Sequence, residues 1–423
     1  MTKKCAYITL GCKVNQYDTQ AIREQLEQVE IQETKDFREA DFLLINSCTV
    51  TEKADQKTRR YIQSFSKRNP QGKVILTGCS ADNHFQKYAE NTQIQYVFRN
   101  RDKKTIAQQI TEGSAEVKPL RITRFDEHTR AFLKIQDGCQ ETCSFCIIPK
   151  VRGRFNSQEE DDVVEEAKAL VRSGYREIVL TGIHLGGYGV DRAVSLTGLI
   201  RKLLTLPELY RLRLSSIEVN EIDEEMIHLL QNEEKFCPHL HLPLQSGDDT
   251  VLAAMRRKYT RQDFINKALD CKNRVPGLEV TTDIIVGFPG ETEEQFQNTL
   301  RLCEEVHFSK IHIFPYSDRR GTRAISMENK CSRNTIKQRV KELGVLEEKL
   351  AILSMKKYEG AILSVLGEEE TKEKETIGIT GNYFRVRFPG IGFRNRLSLV
   401  KIHSVEGREM LGLKIANENF EIF

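Results

Sequence analysis

Three cysteines, Cys139, Cys143 and Cys146, lie close together in the chain with the spacing Cys-x3-Cys-x2-Cys. Thiolates at this spacing can ligate three irons of a 4Fe–4S cluster, and no fourth cysteine follows at short range. One iron then keeps an open position that a substrate or cofactor can occupy. Structural zinc normally requires two Cys-x2-Cys pairs, or one such pair with two histidines. The spacing therefore favours an iron–sulfur cluster over the alternatives, which are a zinc site and unligated thiols.

Composition and charge are those of an ordinary globular protein. The chain has 423 residues, enough for two or three domains, with 39% hydrophobic and 30% charged residues. Its formal net charge is only +3, so nucleic-acid binding would have to come from local basic patches. Eleven cysteines without a recognisable secretion signal indicate metal ligation rather than disulfides. No apolar run is long enough to cross a bilayer, and we expect a cytoplasmic protein with no membrane partner.

The N-terminal part of the chain alternates between strand-like and helix-like segments. Short apolar runs predict buried strands, and the polar runs that follow them predict helices. The predicted strands cover residues 6–10, 42–46 and 74–77, and the predicted helices cover residues 16–28, 51–67 and 83–90. This alternation predicts an open parallel α/β sheet with helices on its faces.

Three further cysteines, Cys12, Cys48 and Cys79, each follow one of these predicted strands. Ligands of parallel sheets gather outside the carboxyl ends of the strands, so three strands deliver three thiols to one crevice. The alternative is that all three are buried structural cysteines, since free cysteine is a frequent core residue. Their coincident placement at strand ends favours a second ligand set.

A second alternation of strands and helices follows residues 112–128, whose composition indicates a linker. The predicted strands cover residues 132–136, 177–181, 211–215, 239–243, 279–286 and 310–314, and the predicted helices cover residues 159–172, 196–204, 224–231, 261–274 and 293–306. Six such units predict a partial (β/α)6 barrel rather than the eight-stranded form. The Cys139 loop directly follows the first strand, so we expect it at the carboxyl-terminal mouth of the barrel.

The C-terminal part of the chain predicts a small all-β, OB-like barrel after a closing helix at residues 343–357. Its predicted strands cover residues 361–366, 376–380, 383–388, 397–403 and 409–415. The segment combines aromatic residues with basic residues, which are Arg385, Arg387, Arg394, Arg396 and Lys401. Such a mixture favours contact with an RNA backbone and stacking on bases. The alternative is a solvated strand face over an aromatic core.

Several motifs together resemble the radical S-adenosylmethionine methylthiotransferases over essentially the whole chain. The matching segments are residues 9–18, 46–50, 139–146, 215–218, 242–248 and 283–291. The resemblance implies an N-terminal methylthiotransferase domain at residues 1–115, a radical S-adenosylmethionine domain at residues 125–355 and an RNA-binding TRAM domain at residues 356–423. Within the family, Gly-Cys-Lys-Val-Asn-Gln at residues 11–16 resembles the branch that acts on N6-threonylcarbamoyladenosine at position 37 of tRNA.

This resemblance implies two 4Fe–4S clusters and S-adenosylmethionine as cofactors. Cys139, Cys143 and Cys146 would hold the cluster at which S-adenosylmethionine is cleaved, while Cys12, Cys48 and Cys79 would hold an auxiliary cluster that carries the sulfur. The implied partners are the tRNA anticodon stem-loop and a reductant such as flavodoxin or ferredoxin. The same chemistry on isopentenyladenosine or on a ribosomal-protein aspartate is the alternative. A non-catalytic RNA-binding iron–sulfur protein is the alternative from a different class.

Other candidate site residues are weighed against structural roles. The cofactor-binding candidates are Phe145, Ile147, Gly182, Glu218, Gln245 and Asp283. Packing in the core is the alternative role of Phe145 and Ile147, and capping of a helix is the alternative role of Glu218. Arg152 and Arg154 follow the cysteine loop and are expected to contact RNA phosphate or the cofactor carboxylate. The barrel histidines are interpreted as structural; they are His184, His239, His241 and His312.

Overall fold

Residues 2–113 and 119–415 are described by a computed structural model. The structure confirms the predicted α/β architecture, with parallel sheets followed by a closed β-barrel at the C-terminal end. The predicted linker at residues 112–128 lies partly outside the described residues. None of the helices in the described part of the chain combines the length and apolarity that a membrane crossing requires.

The N-terminal unit is a five-stranded parallel sheet with helices packed against it. Its elements are β1 (Lys4–Thr9), α1 (Lys13–Gln28), β2 (Gln32–Glu33), β3 (Phe42–Ser47), α2 (Glu52–Arg68), β4 (Lys73–Gly78), α3 (Cys79–Asn83), α4 (Phe85–Ala89), β5 (Tyr96–Val97), a 3-10 helix (Asn100–Thr105) and α5 (Ile106–Ile110). The strand order is β2-β1-β3-β4-β5. The direction of winding reverses between β1 and β3, and such a switch point opens a crevice at the carboxyl ends of the two strands.

One predicted helix of this unit is wrong. Residues 83–90 do not form a single helix, because the backbone at His84 leaves the helical region with φ −123° and ψ 32°. The break separates α3 from α4. It lets the hydroxyl of the buried Tyr88 lie 3.0 Å from the hydroxyl of Ser80.

The central unit contains six parallel strands, all of them predicted, and one closing helix. Its elements are β6 (Arg130–Asp137), α6 (Ile148–Arg152), β7 (Asn156–Ser157), α7 (Glu160–Arg172), β8 (Glu177–Gly182), a 3-10 helix (Leu185–Gly187), α8 (Leu196–Leu204), β9 (Arg211–Leu214), a 3-10 helix (Val219–Glu221), α9 (Glu224–Asn232), β10 (His239–His241), α10 (Asp249–Met255), α11 (Arg261–Arg274), β11 (Glu279–Val286), α12 (Glu293–Val306), β12 (Lys310–Pro315), a 3-10 helix (Ala324–Ser326) and α13 (Arg333–Lys356).

These strands form an open barrel whose two parts meet between β9 and β10. The order β7-β6-β8-β9 gives one part and β10-β11-β12 the other, and parallel bridges such as Ser216 to His241 join them. The short strand β7 pairs antiparallel with β6 and was not predicted. Helix α13 begins earlier than predicted, because the Ser332 hydroxyl accepts the N–H of Thr335 and caps it at that point.

The C-terminal unit is a closed barrel with the order β13-β14-β15-β17-β16. Its strands are β13 (Ile362–Glu370), β14 (Glu375–Thr380), β15 (Arg385–Pro389), β16 (Leu397–Glu406) and β17 (Glu409–Lys414). The unit packs against the amino ends of the central strands. Arg211 donates to the Ile379 carbonyl (3.0 Å) and Arg213 donates to the Gly381 carbonyl (2.8 Å). The turn after β14 is thereby fixed to β9.

A buried carboxylate joins the N-terminal sheet to the central barrel. Asp18 of α1 is 2% exposed and lies 2.6 Å from the Lys103 ammonium and 3.2 Å from the Arg152 guanidinium. It also pairs with Lys134 of β6. Burial alone would raise the pKa of Asp18, but the surrounding cations outweigh burial and hold its pKa well below the usual value. Asp18 is therefore ionised at neutral pH and holds cations from both units.

We expect Asp18→Asn to lower the free energy of unfolding by about 3–5 kcal/mol, because buried cations lose their partner. Urea unfolding of the cluster-free protein, followed by circular dichroism, measures this change. Asp36→Asn is the matched control, since Asp36 pairs with Arg38, which is 78% exposed, and exposed pairs stabilise little. Equal effects of the two substitutions would contradict the role given to Asp18.

Candidate active site

The structure brings Cys12, Cys48 and Cys79 together at the carboxyl ends of β1, β3 and β4. Cys12 is exposed and occupies the N-cap position of α1, while Cys48 and Cys79 are buried. Burial raises the pKa of Cys48 to about 11, and the neighbouring Cys79 and Cys12 act in the same direction. The three thiols therefore form one group. The prediction that three strands deliver them to one crevice agrees with this arrangement.

Two glycines allow this close approach. Gly11 has φ +104°, and a Cβ at this position would lie 2.8 Å from the Cβ of Cys48. Gly78 has φ +94°, and a Cβ there would lie 2.5 Å from the Ser47 nitrogen. Real Cβ atoms are not found at such distances, and positive φ is unfavourable for other residues. Glycine is thus required just before Cys12 and just before Cys79.

The second set of cysteines lies in the loop between β6 and α6. The Cys139 N–H donates to the Gly153 carbonyl (3.0 Å), which closes the loop on itself. The Ser144 N–H donates to the Met255 carbonyl (3.1 Å), which ties the loop to the end of α10. Burial raises the pKa of Cys146 to about 12, with Cys143 and Cys139 acting in the same direction. This loop lies at the carboxyl ends of the barrel strands, as predicted.

The two cysteine sets meet at the interface between the N-terminal unit and the barrel. Cys79 packs in one apolar cluster with Ile147 and Val151, which follow the second cysteine set in the chain. Asn100 donates to the Val151 carbonyl (2.7 Å) and strengthens the same contact. Ile147 was predicted to contact a cofactor. The structure gives it a packing contact that joins the two cysteine sets.

Three side chains with N–H groups lie beside cysteine sulfurs. The contacts are Arg152 to Cys79 (3.4 Å), Arg257 to Cys143 (3.4 Å) and His184 to Cys139 (3.6 Å). Arg257 also pairs with Glu218, and His184 pairs with Glu221. Hydrogen bonds to cluster sulfurs tune reduction potential, so these residues suit the surroundings of a metal centre. Arg257 was not predicted, because it lies far in sequence from all six cysteines of the two sets.

A cavity of about 560 Å³ occupies the barrel lumen and opens toward the N-terminal unit. Side chains at every second position of the central strands point inward and line it, as strand geometry requires. Its lining includes Arg130, Phe132, Val179, Thr181, Arg213, Ser215, His239, His241, Thr281, Asp283, His312 and Phe314 from the strands, Gly182 at the end of β8, Cys12 and Lys13 from the N-terminal unit, and Tyr383 from the C-terminal barrel. All three units therefore contribute to one cavity.

Polar lumen residues were largely missed from the sequence. The sequence did contain a signal for these residues. Charged residues and histidines stand at alternate positions of strands that were predicted to be buried, as His239 and His241 do. His241 and His312 were interpreted as structural, and the structure places both in the lining of the cavity. One ligand atom each of His241, Asp283 and His312 lies within 4.8 Å of the others. Burial lowers the pKa of His312 to about 4, so its ring is neutral.

The predicted cofactor-binding residues fall into two places. Gly182 and Asp283 line the large cavity, whereas Glu218 lies in a small cleft with Cys143 and Arg257. Glu218 also caps the 3-10 helix that follows it, so its alternative role is present as well. Phe145 packs against a cluster that includes Phe288 and Met255. Gln245 adopts φ +68°. Its backbone N–H donates to the Asp283 carbonyl, and its own carbonyl accepts the N–H of Ile285 in β11.

The predicted substrate-binding arginines behave differently from one another. Arg152 is 1% exposed and is held by Asp18, Asp137 and Asn15, so the prediction that it contacts RNA phosphate is wrong. Arg154 is exposed.

In the C-terminal barrel, acidic residues of neighbouring strands reduce the predicted basic surface. Arg385 pairs with Glu409 (2.7 Å), and Arg387 pairs with the same carboxylate. Glu409 is distant in sequence from both arginines, so these ion pairs could not be predicted without the structure of the barrel. Arg394 is exposed and reaches the Glu127 carbonyl (3.4 Å). Phe384 and Phe388 are buried in the core of the barrel, which matches the alternative of an aromatic core.

The donor sets fit iron–sulfur clusters. Each set supplies three thiols, and each has a cationic side chain beside one sulfur. Cys5, Cys237, Cys271 and Cys303 are buried away from both sets, and Cys331 donates to the Glu291 carbonyl (3.4 Å). Within the described residues, the cysteines outside the two sets are therefore in packing or backbone contacts. A three-thiol set leaves one iron open for another ligand.

Comparisons with known proteins agree with this geometry. Residues 133–303 match the Radical SAM superfamily, and residues 4–99 match an uncharacterized protein family, UPF0004. A Bacillus subtilis (strain 168) protein named threonylcarbamoyladenosine tRNA methylthiotransferase MtaB is 40% identical over 91% of this chain and 90% of its own length. A Clostridium tetani protein named tRNA-2-methylthio-N(6)-dimethylallyladenosine synthase is 32% identical over 97% of this chain and 95% of its own length.

Among solved structures, the radical S-adenosylmethionine methyltransferase TsrM from Kitasatospora setae resembles this fold. That structure, with tryptophan substrate and a SAM analog bound, has a TM-score of 0.57, covering 74% of this chain and 73% of TsrM. Its sequence identity is 15%, so the similarity concerns the fold alone.

We expect Gly11→Ala to disrupt the Cys12 set selectively, because the added methyl group would collide with Cys48. After reconstitution with iron and sulfide, iron bound per chain should fall while the Cys139 set keeps its share. Iron analysis together with electron paramagnetic resonance measures this loss. The control is Gly344→Ala, where a Cβ meets no atom within 4 Å and helix propensity improves. Full iron content in Gly11→Ala would contradict the steric argument.

We expect Arg257→Met to lower the reduction potential of the cluster at Cys139, Cys143 and Cys146. The substitution removes a cationic donor from the Cys143 sulfur and leaves the negative charge of Glu218 nearby, so the more negative reduced state loses stabilisation. A redox titration followed by electron paramagnetic resonance measures the potential. Arg172→Met is the control, because Arg172 is exposed at the end of α7 and does not line the cleft that contains Cys143. An unchanged potential in Arg257→Met would exclude this influence.

Proposed function

This chain belongs to the radical S-adenosylmethionine tRNA methylthiotransferase family, and we propose that it attaches a methylthio group to carbon 2 of N6-threonylcarbamoyladenosine at position 37 of tRNA. The observation that carries the proposal is the single cavity lined by Cys12, by the barrel lumen and by the C-terminal barrel. Its volume of about 560 Å³ lies in the range of small-molecule sites and suits one modified base. The relatives named for threonylcarbamoyladenosine reach 40% identity, which supports this substrate over dimethylallyladenosine.

The six cysteines are proposed as the ligands of two 4Fe–4S clusters. Cys139, Cys143 and Cys146 would hold the cluster that serves S-adenosylmethionine, and Cys12, Cys48 and Cys79 would hold the auxiliary cluster. When bound, these groups supply the sulfur, the methyl group and the radical that removes hydrogen from the adenine ring. That C–H bond is neither acidic nor easily attacked, so acid–base side chains alone have no means of activating it.

The contribution of the protein is positioning and exclusion of water. Phe145, Gly182, Glu218, Gln245 and Asp283 remain the proposed cofactor-binding residues, with Glu218 oriented by its pair with Arg257. Arg257 and His184 donate N–H groups toward the cysteine sulfurs or compensate the negative charge of those sulfurs. The apolar contact between Cys79 and Ile147 holds the two cysteine sets on facing sides of the interface.

RNA contact is proposed for the exposed arginines at the edge of the site. Arg154 follows the cysteine loop and Arg394 lies on the C-terminal barrel, and both are free to meet the phosphates of an anticodon stem-loop. Arg385 and Arg387 are paired with Glu409 and would contribute less. A flavodoxin or ferredoxin in the cytoplasm is the proposed electron donor.

Nucleoside mass spectrometry of tRNA tests the substrate. In cells that lack the gene, we expect the methylthio derivative of threonylcarbamoyladenosine to disappear and the dimethylallyl derivative to remain. Wild-type chain and Cys331→Ala should restore the product, while Cys143→Ala and Cys48→Ala should not. Loss of the dimethylallyl product instead would assign the other tRNA substrate. No change in either would direct the search to ribosomal protein.

The two cysteine sets are distinguished by S-adenosylmethionine cleavage in the purified, reconstituted enzyme. We expect Cys143→Ala to form no 5′-deoxyadenosine, because the open iron is lost. Cys48→Ala should keep part of the cleavage and lose thiolation, because it affects only the auxiliary set. Chromatographic measurement of 5′-deoxyadenosine gives the result. Thiolation by Cys48→Ala would contradict the auxiliary role, and absence of cleavage in the wild type would favour a non-catalytic iron–sulfur protein.

A further inference from the structure

We propose that the cavity floor, formed by Arg130, Arg213, His239 and Tyr383 and faced by Lys13, is a binding site for a carboxylate carried by the substrate base. The inference rests on the proposed function, because threonylcarbamoyladenosine bears a free carboxylate on its adenine substituent. It assigns the recognition of that group to residues from three separate units of the chain. It also identifies Lys13 as the residue on which specificity depends most.

The charge of the floor is positive because guanidinium groups outnumber their carboxylate partners. The buried Glu177 lies 2.7 Å from Arg213, 3.5 Å from Arg211 and 3.8 Å from Arg130, and Glu368 lies 2.7 Å from Arg130. Three arginines therefore share two glutamates. Since Arg130, Glu177 and Arg211 begin β6, β8 and β9, this excess charge lies at the amino ends of the strands.

Lys13 adds a cation that lacks a carboxylate partner among residues 2–113 and 119–415. It is the first residue of α1 and lines the cavity next to Cys12. Its ammonium lies 5.8 Å from the centre of the Phe132 ring, so its charge faces the lumen rather than an acidic side chain. A half-buried ammonium without a carboxylate is best stabilised by an anionic ligand.

Tyr383 shows that the C-terminal barrel is built to reach this floor. It has φ +77°, a conformation that non-glycine residues rarely adopt. Its ring stacks on His239 at 4.5 Å between ring centres, and the Arg213 guanidinium lies 5.0 Å from its centre. Burial opposes ionisation of its phenol, but Arg130, Lys13 and Arg213 outweigh burial and hold the pKa of Tyr383 below its usual value. The positive potential is therefore felt inside the cavity.

The opposite end of the lumen has a different character. Asp283 is the single carboxylate among the described residues that line the cavity, and it pairs with His241 at 3.2 Å. It lies toward the carboxyl end of β11, away from Arg130 and His239 at the amino ends. A carboxylate ligand is thus attracted to the floor and repelled from the upper lumen. A neutral prenyl group would leave the Lys13 ammonium without an anionic partner.

Paired RNA substrates test the proposal. One anticodon stem-loop carries threonylcarbamoyladenosine, and the other carries its methyl ester, which keeps the size and removes the charge. Dissociation constants come from fluorescence anisotropy with cluster-free protein, and kcat/KM comes from the reconstituted enzyme. The chains compared are wild type, Lys13→Gln and Lys13→Arg, with Lys104→Gln as the control because Lys104 is exposed elsewhere on the N-terminal unit.

We expect esterification to weaken binding to wild type and to Lys104→Gln by about 10- to 100-fold, the range for a hydrogen-bonded charge. Lys13→Gln should bind acid and ester with nearly equal affinity, and Lys13→Arg should keep part of the preference. A merely structural role of Lys13 would weaken both RNAs equally and would overturn the proposal. An absent ester effect in wild type would also overturn it.

The same experiment separates this proposal from the proposed function. If the wild-type enzyme forms methylthio product from the acid RNA but treats the ester equally, only the carboxylate site is contradicted. If it forms no product from the acid RNA and does so from a dimethylallyl RNA, the proposed substrate is itself wrong and the carboxylate site falls with it.

Discussion

The buried carboxylate of Asp18 is the constraint on which the arrangement of the site depends. It projects from α1, the helix that begins beside Cys12, and it holds cations from the barrel strand β6 and from α6. One of those cations, Arg152, continues to the sulfur of Cys79. The ionised Asp18 carboxylate therefore links α1, which begins beside Cys12, to α6, which follows the loop that contains Cys139. The desolvation cost of this carboxylate is offset only when all three elements are in place.

Sheet topology explains why two cysteine sets that are distant in sequence share an interface. Both sets lie at the carboxyl ends of parallel strands, one set on the N-terminal sheet and the other on the barrel. The two units pack with these ends facing each other, so Cys79 of one set contacts Ile147, which follows the other set in the chain. Neither unit encloses the cavity by itself, since Lys13 closes one side and Tyr383 closes the floor.

The sequence predicted the elements well where an apolar run alternated with a capped amphipathic helix. All six central strands were recovered, and α11 and α12 have the predicted bounds; in the structure, capping boxes at Thr260 and Thr292 begin these two helices. Local patterns failed where long-range contacts decide the outcome. The burial of Arg152 depends on Asp18, which belongs to another unit, whereas the break at His84 is a local feature of the backbone. The Cys139 set was predictable from its spacing and the Cys12 set from its placement after three strands, whereas the lumen cations share no such local rule.

The position of Tyr383 has a consequence for how this chain can change over time. The C-terminal barrel supplies a wall of the catalytic cavity, and the carbonyls of Ile379 and Gly381 hold its turn against two arginines of β9. A substitution in that turn alters the lumen, and a substitution in β9 alters the docking of the barrel. The C-terminal barrel and the central unit are therefore obliged to vary together. Exchanging the barrel for that of a relative would import the relative's cavity floor with it.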